Sequence, residues 1–402
     1  MPIMLDALFN GNFFSASIEQ PILSQLRATA HLYGVDAVEL NKARILSLGI
    51  SHNPLLATCA LSYPDSQIID LAIGQPYLDV SQLSSLRNYN AVSVSWDQIT
   101  PELGSFDFII CPDLLAYLPT EVAQDLLNRC KALLEPGGLA CVGYPTFPGA
   151  KSLEIVRDAL LLHLRDHLGS HEDDQKAQAL TALSLFDNFD SSADSLGLSL
   201  QVAAEYFRRK IERGYLPIIM GSPDALGRYH VEFAQAANQA GLACIGDGHP
   251  HLGMAKNWGI SINTSNSLLT LGQSDIIRQQ YLDFSTARLW RHTLLTHVER
   301  EINPCASPEI SKLADLRWAG CWEPMDWAPV YEGQIYQNNQ GRQQKIKNED
   351  SAHILDMLAA SWPSSLSVKD LQTLCQLSSD AVLSIISEQF DAGALNYCMD
   401  GD

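Results

Sequence analysis

Ile45-Leu46-Ser47-Leu48-Gly49, followed by Ile50-Ser51-His52-Asn53-Pro54, is the stretch on which the fold turns. A short apolar run that stops at glycine and turns polar reads as a buried strand feeding a loop. The unit recurs. Ile68-Ile69-Asp70-Leu71 follows the turn Tyr63-Pro64-Asp65, and Val92 and Val94 alternate in a third run. Phe108-Ile109-Ile110-Cys111 is a fourth, and Leu139-Ala140-Cys141-Val142 follows Pro136-Gly137-Gly138. Helical periodicity lies between most of these runs, most clearly over Thr120–Leu134. Another helix opens at Pro21, with Ile22, Leu26, Ala30 and Tyr33 on one face. Short apolar strands separated by helices predict a parallel sheet covered on both faces. The fold class is therefore α/β, with a doubly wound parallel sheet in residues 1–150.

The chain has 402 residues, too many for one ordinary core. Residues 151–302 read as a mostly helical domain: Leu153–Leu168, Asp174–Phe186, Ala203–Glu212, Val231–Gly241 and one long helix, Asp275–Glu299. The strand-like Leu242-Ala243-Cys244-Ile245-Gly246 interrupts it. Residues 303–402 read as a small winged-helix-like C-terminal module. Ser367-Val368-Lys369-Asp370 is a capping box, Ser378 or Ser379 opens a second helix ending near Gly393, and Leu395-Asn396-Tyr397 resembles a strand. Trp318, Trp322 and Trp327 read as an aromatic staple between domains. The polar run from Asn338 to Gln344 reads as a loop or linker.

Charge narrows the function. Acidic residues number 46 against 26 basic, a formal charge of −20. Such a chain repels phosphate backbones and anionic lipid, so neither nucleic acid nor membrane is an expected partner. The C-terminal module is no exception: residues 351–402 hold Lys369 as their one basic residue, against seven acids. A protein or peptide with a cationic patch suits this balance. Met1-Pro2-Ile3-Met4-Leu5-Asp6 has no basic region before an apolar core, so no secretory leader is expected. Nine cysteines without a Cys-x-x-Cys pair read as free thiols in a cytoplasmic protein, and no metal site is expected. His163, His167 and His171 share a spacing of four, but Gly169-Ser170 ends the helix between them. Asp247-Gly248-His249-Pro250-His251 reads as turn chemistry.

Several segments carry a family resemblance. They are Ile45–Gly49 with Leu56, Ala60 and Tyr63-Pro64-Asp65; Phe106–Cys111 with Tyr117-Leu118-Pro119; Leu133-Leu134-Glu135-Pro136-Gly137-Gly138; and Tyr144-Pro145-Thr146-Phe147-Pro148-Gly149. Further along stand Glu232-Phe233-Ala234 with Gly241-Leu242, and Gln280-Tyr281-Leu282-Asp283-Phe284 with Arg288, Arg291 and Thr293-Leu294-Leu295. In order and spacing, residues 12–300 resemble a class I (Rossmann-like) S-adenosylmethionine (SAM) methyltransferase followed by a methyltransferase regulatory domain. That bacterial family includes protein-lysine methyltransferases. The resemblance implies SAM as cofactor. It implies cofactor-side positions at Gly49, Ser51, Asp70, Asp97 and Cys111, and acceptor-side candidates at Tyr117 and Tyr144.

The chain departs from the family where the donor is held. The family's Glu-Leu-Gly-Cys-Gly-x-Gly-Gly-Asn is here Ser47-Leu48-Gly49-Ile50-Ser51-His52-Asn53-Pro54-Leu55. The acid of the first strand is Ser47, and the ribose acid falls at Ala72, two residues after Asp70. The His-Gly after the fourth strand is Pro112-Asp113. Each lost carboxylate–hydroxyl pair weakens binding by about 1.5–3 kcal/mol, and two by roughly 10²–10⁴-fold. Two expectations follow. One is a non-catalytic protein- or peptide-binding or regulatory partner, a pseudoenzyme with a degenerate SAM pocket. The other is an active SAM-dependent methyltransferase acting on a protein side chain such as lysine.

Overall fold

The computed structural model describes residues 21–53, 55–73, 86–187, 195–221, 227–303, 307–325, 333–339 and 341–399. Strand β1 (Arg44–Gly49) is central because its alternate side chains serve two cores. Leu46 and Leu48 point into one, Ile45 into the other, and all three are fully buried. Each such aliphatic contributes about 1.5–3 kcal/mol. β4 (Phe106–Cys111) does the same, with Ile109 and Cys111 on one side and Phe108 and Ile110 on the other. Around them lie β2 (Gln67–Ile73), β3 (Tyr89–Val94) and β5 (Leu134–Pro145), and these five strands run parallel to one another. Helices Leu55–Ser62 and Thr120–Leu133 pack against this part of the sheet.

The sheet does not end at residue 150. It has seven strands in the order β3-β2-β1-β4-β5-β7-β6, completed by β6 (Leu242–Asp247) and β7 (Trp290–His297). β7 runs antiparallel to both β5 and β6. The segment expected as a separate helical domain thus supplies two strands to the first one. The long helix expected over Asp275–Glu299 is two elements. A helix spans Asp275–Thr286, and Ala287 ends it in the left-handed region at φ 48°. β7 follows, with every residue from Trp290 to Thr296 buried. A seven-residue buried run fits a strand inserted between two others better than a surface helix. The other expected helices are present as Lys151–Leu164, Glu172–Leu183, Ser195–Glu212, which starts eight residues before its expected bound, and His230–Gln239, while Leu216–Gly221 and Ile260–Leu269 are helices the sequence reading missed.

The C-terminal module holds helices Glu349–Ser361, Val368–Cys375 and Ser379–Asp391. Its three-stranded sheet joins β8 (Arg317–Ala319), β12 (Leu366–Ser367) and β13 (Asn396–Cys398). The capping box at Ser367 and Asp370 forms, and Ser378 caps the last helix. β9 (Trp322–Pro324), β10 (Ile335–Asn338) and β11 (Gln343–Lys345) form a second sheet. The polar run expected as a linker is therefore the turn of a hairpin, with Gln337 opposite Gln343. Trp318 and Trp322 lie in the module's own core, which also takes Ala28 and Leu32 of the helix Leu23–Leu32. Trp327 falls outside the described residues. Among the described residues no helix is long and apolar enough to cross a membrane.

Candidate functional site

In an open α/β sheet a crevice forms beyond the carboxyl ends of the strands where the order reverses. Here that point lies between β1 and β4. Two glycines shape it. A Cβ on Gly49 would stand 2.7 Å from the Ser51 carbonyl oxygen, so only glycine lets the loop fold back over β1. A Cβ on Gly143 would stand 1.9 Å from the Pro112 carbonyl oxygen, so Gly143 lets the turn after β4 lie close on β5.

One half of the crevice is built from the ends of β1 and β2. Asp70, opposite Ser47 in the register, is fully buried. Its Oδ2 accepts hydrogen bonds from the Asn53 amide and the Tyr89 hydroxyl, each at 2.8 Å. His52 Nδ1 lies 3.5 Å from the same oxygen. Asp70 thus pins the loop after β1 from below. Burial, reinforced by the Asp70 charge, pushes the Tyr89 phenol well above its ordinary value. Ala72 stands opposite Gly49 and is buried too. Asp97 is exposed in the turn Trp96–Gln98, and a hydrogen bond from Ser95 holds its carboxyl below the usual range. Cys111 ends β4 in the core, and burial pushes its thiol well up. Pro54 lies outside the described residues.

The other half is built from the turn after β4 and the region after residue 195. Lys210 Nζ donates to Asp113 Oδ2 at 2.6 Å, with the two side chains 15% and 17% exposed. The ammonium faces three rings: Tyr215 at 4.4 Å from the centroid, Tyr206 at 5.8 Å and Tyr117 at 5.9 Å. The Tyr117 and Tyr206 hydroxyls lie 3.3 Å apart. Tyr215 also hydrogen-bonds Ser51, joining the two halves. Burial opposes the charge on Lys210 most strongly, yet Asp113 together with Tyr206 and Tyr215 outweighs it and the ammonium titrates above its ordinary value. Burial pushes the Tyr117 and Tyr206 phenols well up. Of this cluster only Tyr117 was expected. Tyr206 and Lys210 share a helix face by their spacing of four, which is the one signal the sequence offers.

Tyr144, an acceptor-side candidate, and Asp247, which opens the expected turn, are both buried in the core. Tyr144 is buried against Phe233, its ring centroid at 4.1 Å, and its hydroxyl meets His230 Nδ1 at 2.9 Å and Thr293 at 3.2 Å. Its phenol is raised by burial. Asp247 is a structural counter-ion: Arg288 lies at 2.7 Å and Arg291 at 3.2 Å, while its Oδ1 accepts the His249 amide. Among the described residues no group of three or more His, Cys, Asp or Glu side chains could hold a metal.

The fold is that of a class I methyltransferase. The solved structure of PKMT2 from Rickettsia typhi in complex with AdoHcy superposes with a TM-score of 0.74 at 20% identity, covering 96% of this chain and 76% of that one. Residues 225–297 match the family described as a predicted methyltransferase regulatory domain, and these are the residues that supply β6 and β7. An uncharacterized protein of Rickettsia prowazekii is 25% identical over 69% of this chain and 50% of its own length. The chain thus spans half of that relative. A second, from the same organism, is 23% identical over 53% of this chain and 86% of its own length.

Proposed function

We propose that this chain keeps the methyltransferase fold without methyl transfer, and serves as a protein- or peptide-binding partner through the crevice. The commitment of Asp70 carries this reading. Among the described residues it is the carboxylate on β2, and it is sealed in the core holding Asn53 and Tyr89. The positions where the family resemblance puts the donor's two carboxylates hold Ser47 and Ala72, both fully buried. Ser47 Oγ, His52 Nδ1 and Asp70 Oδ1 are buried without hydrogen-bond partners among the described residues, but solvent does not reach Ser47 or Asp70. These residues do not fit SAM as the resemblance would seat it. The charge of −20 favours a cationic peptide as the partner.

Calorimetric titration of the purified protein with SAM and its demethylated product tests the reading. No binding at millimolar ligand is the expected result; micromolar binding overturns it. A second reading, methyl transfer to a protein side chain such as lysine, is favoured by one observation, the ammonium held among Tyr117, Tyr206 and Tyr215. It predicts methylation of lysine-bearing peptides, and the titration separates the two.

A further inference from the structure

The ammonium in the crevice belongs to this chain. We infer that Lys210 is a resident plug: Asp113, Tyr117, Tyr206 and Tyr215 form a cage for a primary alkylammonium, and an outside ammonium enters only by displacing Lys210. This deepens the reading above and rests on the crevice being a binding surface. It does not depend on the donor being absent.

Three observations carry it. The first is composition. A structural lysine tying a helix to a strand needs one carboxylate, whereas here three rings from three segments converge on it as well. Each such cation–π contact adds about 0.5–2 kcal/mol, and together they select a cation over a neutral alkyl group. The second is place. Asp113 lies just past the end of β4, and Tyr215 bonds Ser51 in the loop after β1, so the cage stands in the crevice itself. The third is access. Lys210 and Asp113 keep 15% and 17% of their surface exposed, unlike the sealed Arg291–Asp283 pair at 2% and 0%. An ammonium carries three N–H donors, and among the described residues Asp113 is its one hydrogen-bond acceptor. The plug is also near the end of its helix, which stops at Glu212, before Gly214 at φ 86°.

The consequence is a built-in barrier. If Lys210 fills the cage ~99% of the time, an outside ligand binds ~100-fold more weakly than the cage allows. The probe is a blocked Gly-Lys-Gly tripeptide with its norleucine counterpart, titrated by calorimetry against the full chain. Lys210→Ala should bind the lysine peptide ~10–100-fold more tightly than the wild type does. The norleucine peptide should not bind, and adding Tyr215→Ala should remove the gain. Equal binding to wild type and Lys210→Ala, or equal binding of the two peptides, overturns the inference.

A second measurement needs no variant and decides the matter if Lys210→Ala does not fold. Reductive methylation of the wild type, read by mass spectrometry, should modify Lys210 ~10-fold or more slower than Lys42, whose side chain is 71% exposed. Millimolar lysine peptide should then accelerate modification of Lys210. Modification at the rate of Lys42, or a rate the peptide leaves unchanged, overturns the plug. The SAM titration and these experiments fail independently of each other.

Discussion

The two halves of the crevice have gone opposite ways. In the half at the ends of β1 and β2, Ser47 and Ala72 are neutral and sealed, and Asp70 faces inward. In the half beyond β4, charge and aromatic surface gather around Lys210. Both halves rest on one sheet, the first on β1 and β2 and the second on β4, so the scaffold as a whole does not force the difference. A sheet keeps its order as long as its apolar faces are buried, and the polar groups at its carboxyl ends are then free to change.

The largest effect expected separates the halves by stability. Asp70→Ala leaves the Asn53 amide and the Tyr89 hydroxyl unsatisfied in the core, and should lower unfolding free energy by about 2–4 kcal/mol in urea. A loss below ~0.5 kcal/mol would mean that Asp70 does not hold the loop. Lys210→Met should cost less, about 1–3 kcal/mol, because Asp113 keeps some solvent and can rehydrate. A double-mutant cycle with Asp113→Asn should show coupling between the two sites; strict additivity would break the pair.

Acid should act at β7. His292 is buried, and burial holds its pKa well below the ordinary value. A histidine depressed in the fold stabilises it fully above its unfolded pKa of about 6.5, and that stability is lost as pH falls. Between pH 6.5 and 5.5, the wild type should therefore lose up to ~1.4 kcal/mol more than His292→Leu does. Parallel pH profiles for the two proteins would show that His292 takes up its proton in the fold as readily as in the unfolded chain. The smallest effect is expected at Asp97. It is exposed, so Asp97→Asn should change stability by less than ~0.5 kcal/mol. A larger loss would place Asp97 in a contact absent from the structure.

Much of this molecule was legible before folding was considered. The first five strands follow from short apolar runs and their glycine or proline punctuation, and the helix starts at Ser367 and Ser378 from local capping chemistry. Ser47 and Ala72, at positions where the family resemblance implies carboxylates, are visible as letters. These are local properties, set by neighbours within a turn or a strand, so the sequence by itself determined them.

The rest was decided by contacts between distant residues. Trp290–His297 reads equally well as helix until β5 and β6 offer it edges to pair with. Asp70 has the composition of a ligand residue, and only the register with β1 and the nearness of Tyr89 turn it into an anchor. Lys210 and Asp113 lie 97 positions apart and meet only because the sheet and the helix Ser195–Glu212 converge at the crevice. An amino-acid type fixes what a side chain can do, whereas its partner, and so its role, is fixed by the packing of apolar faces far from it in the chain.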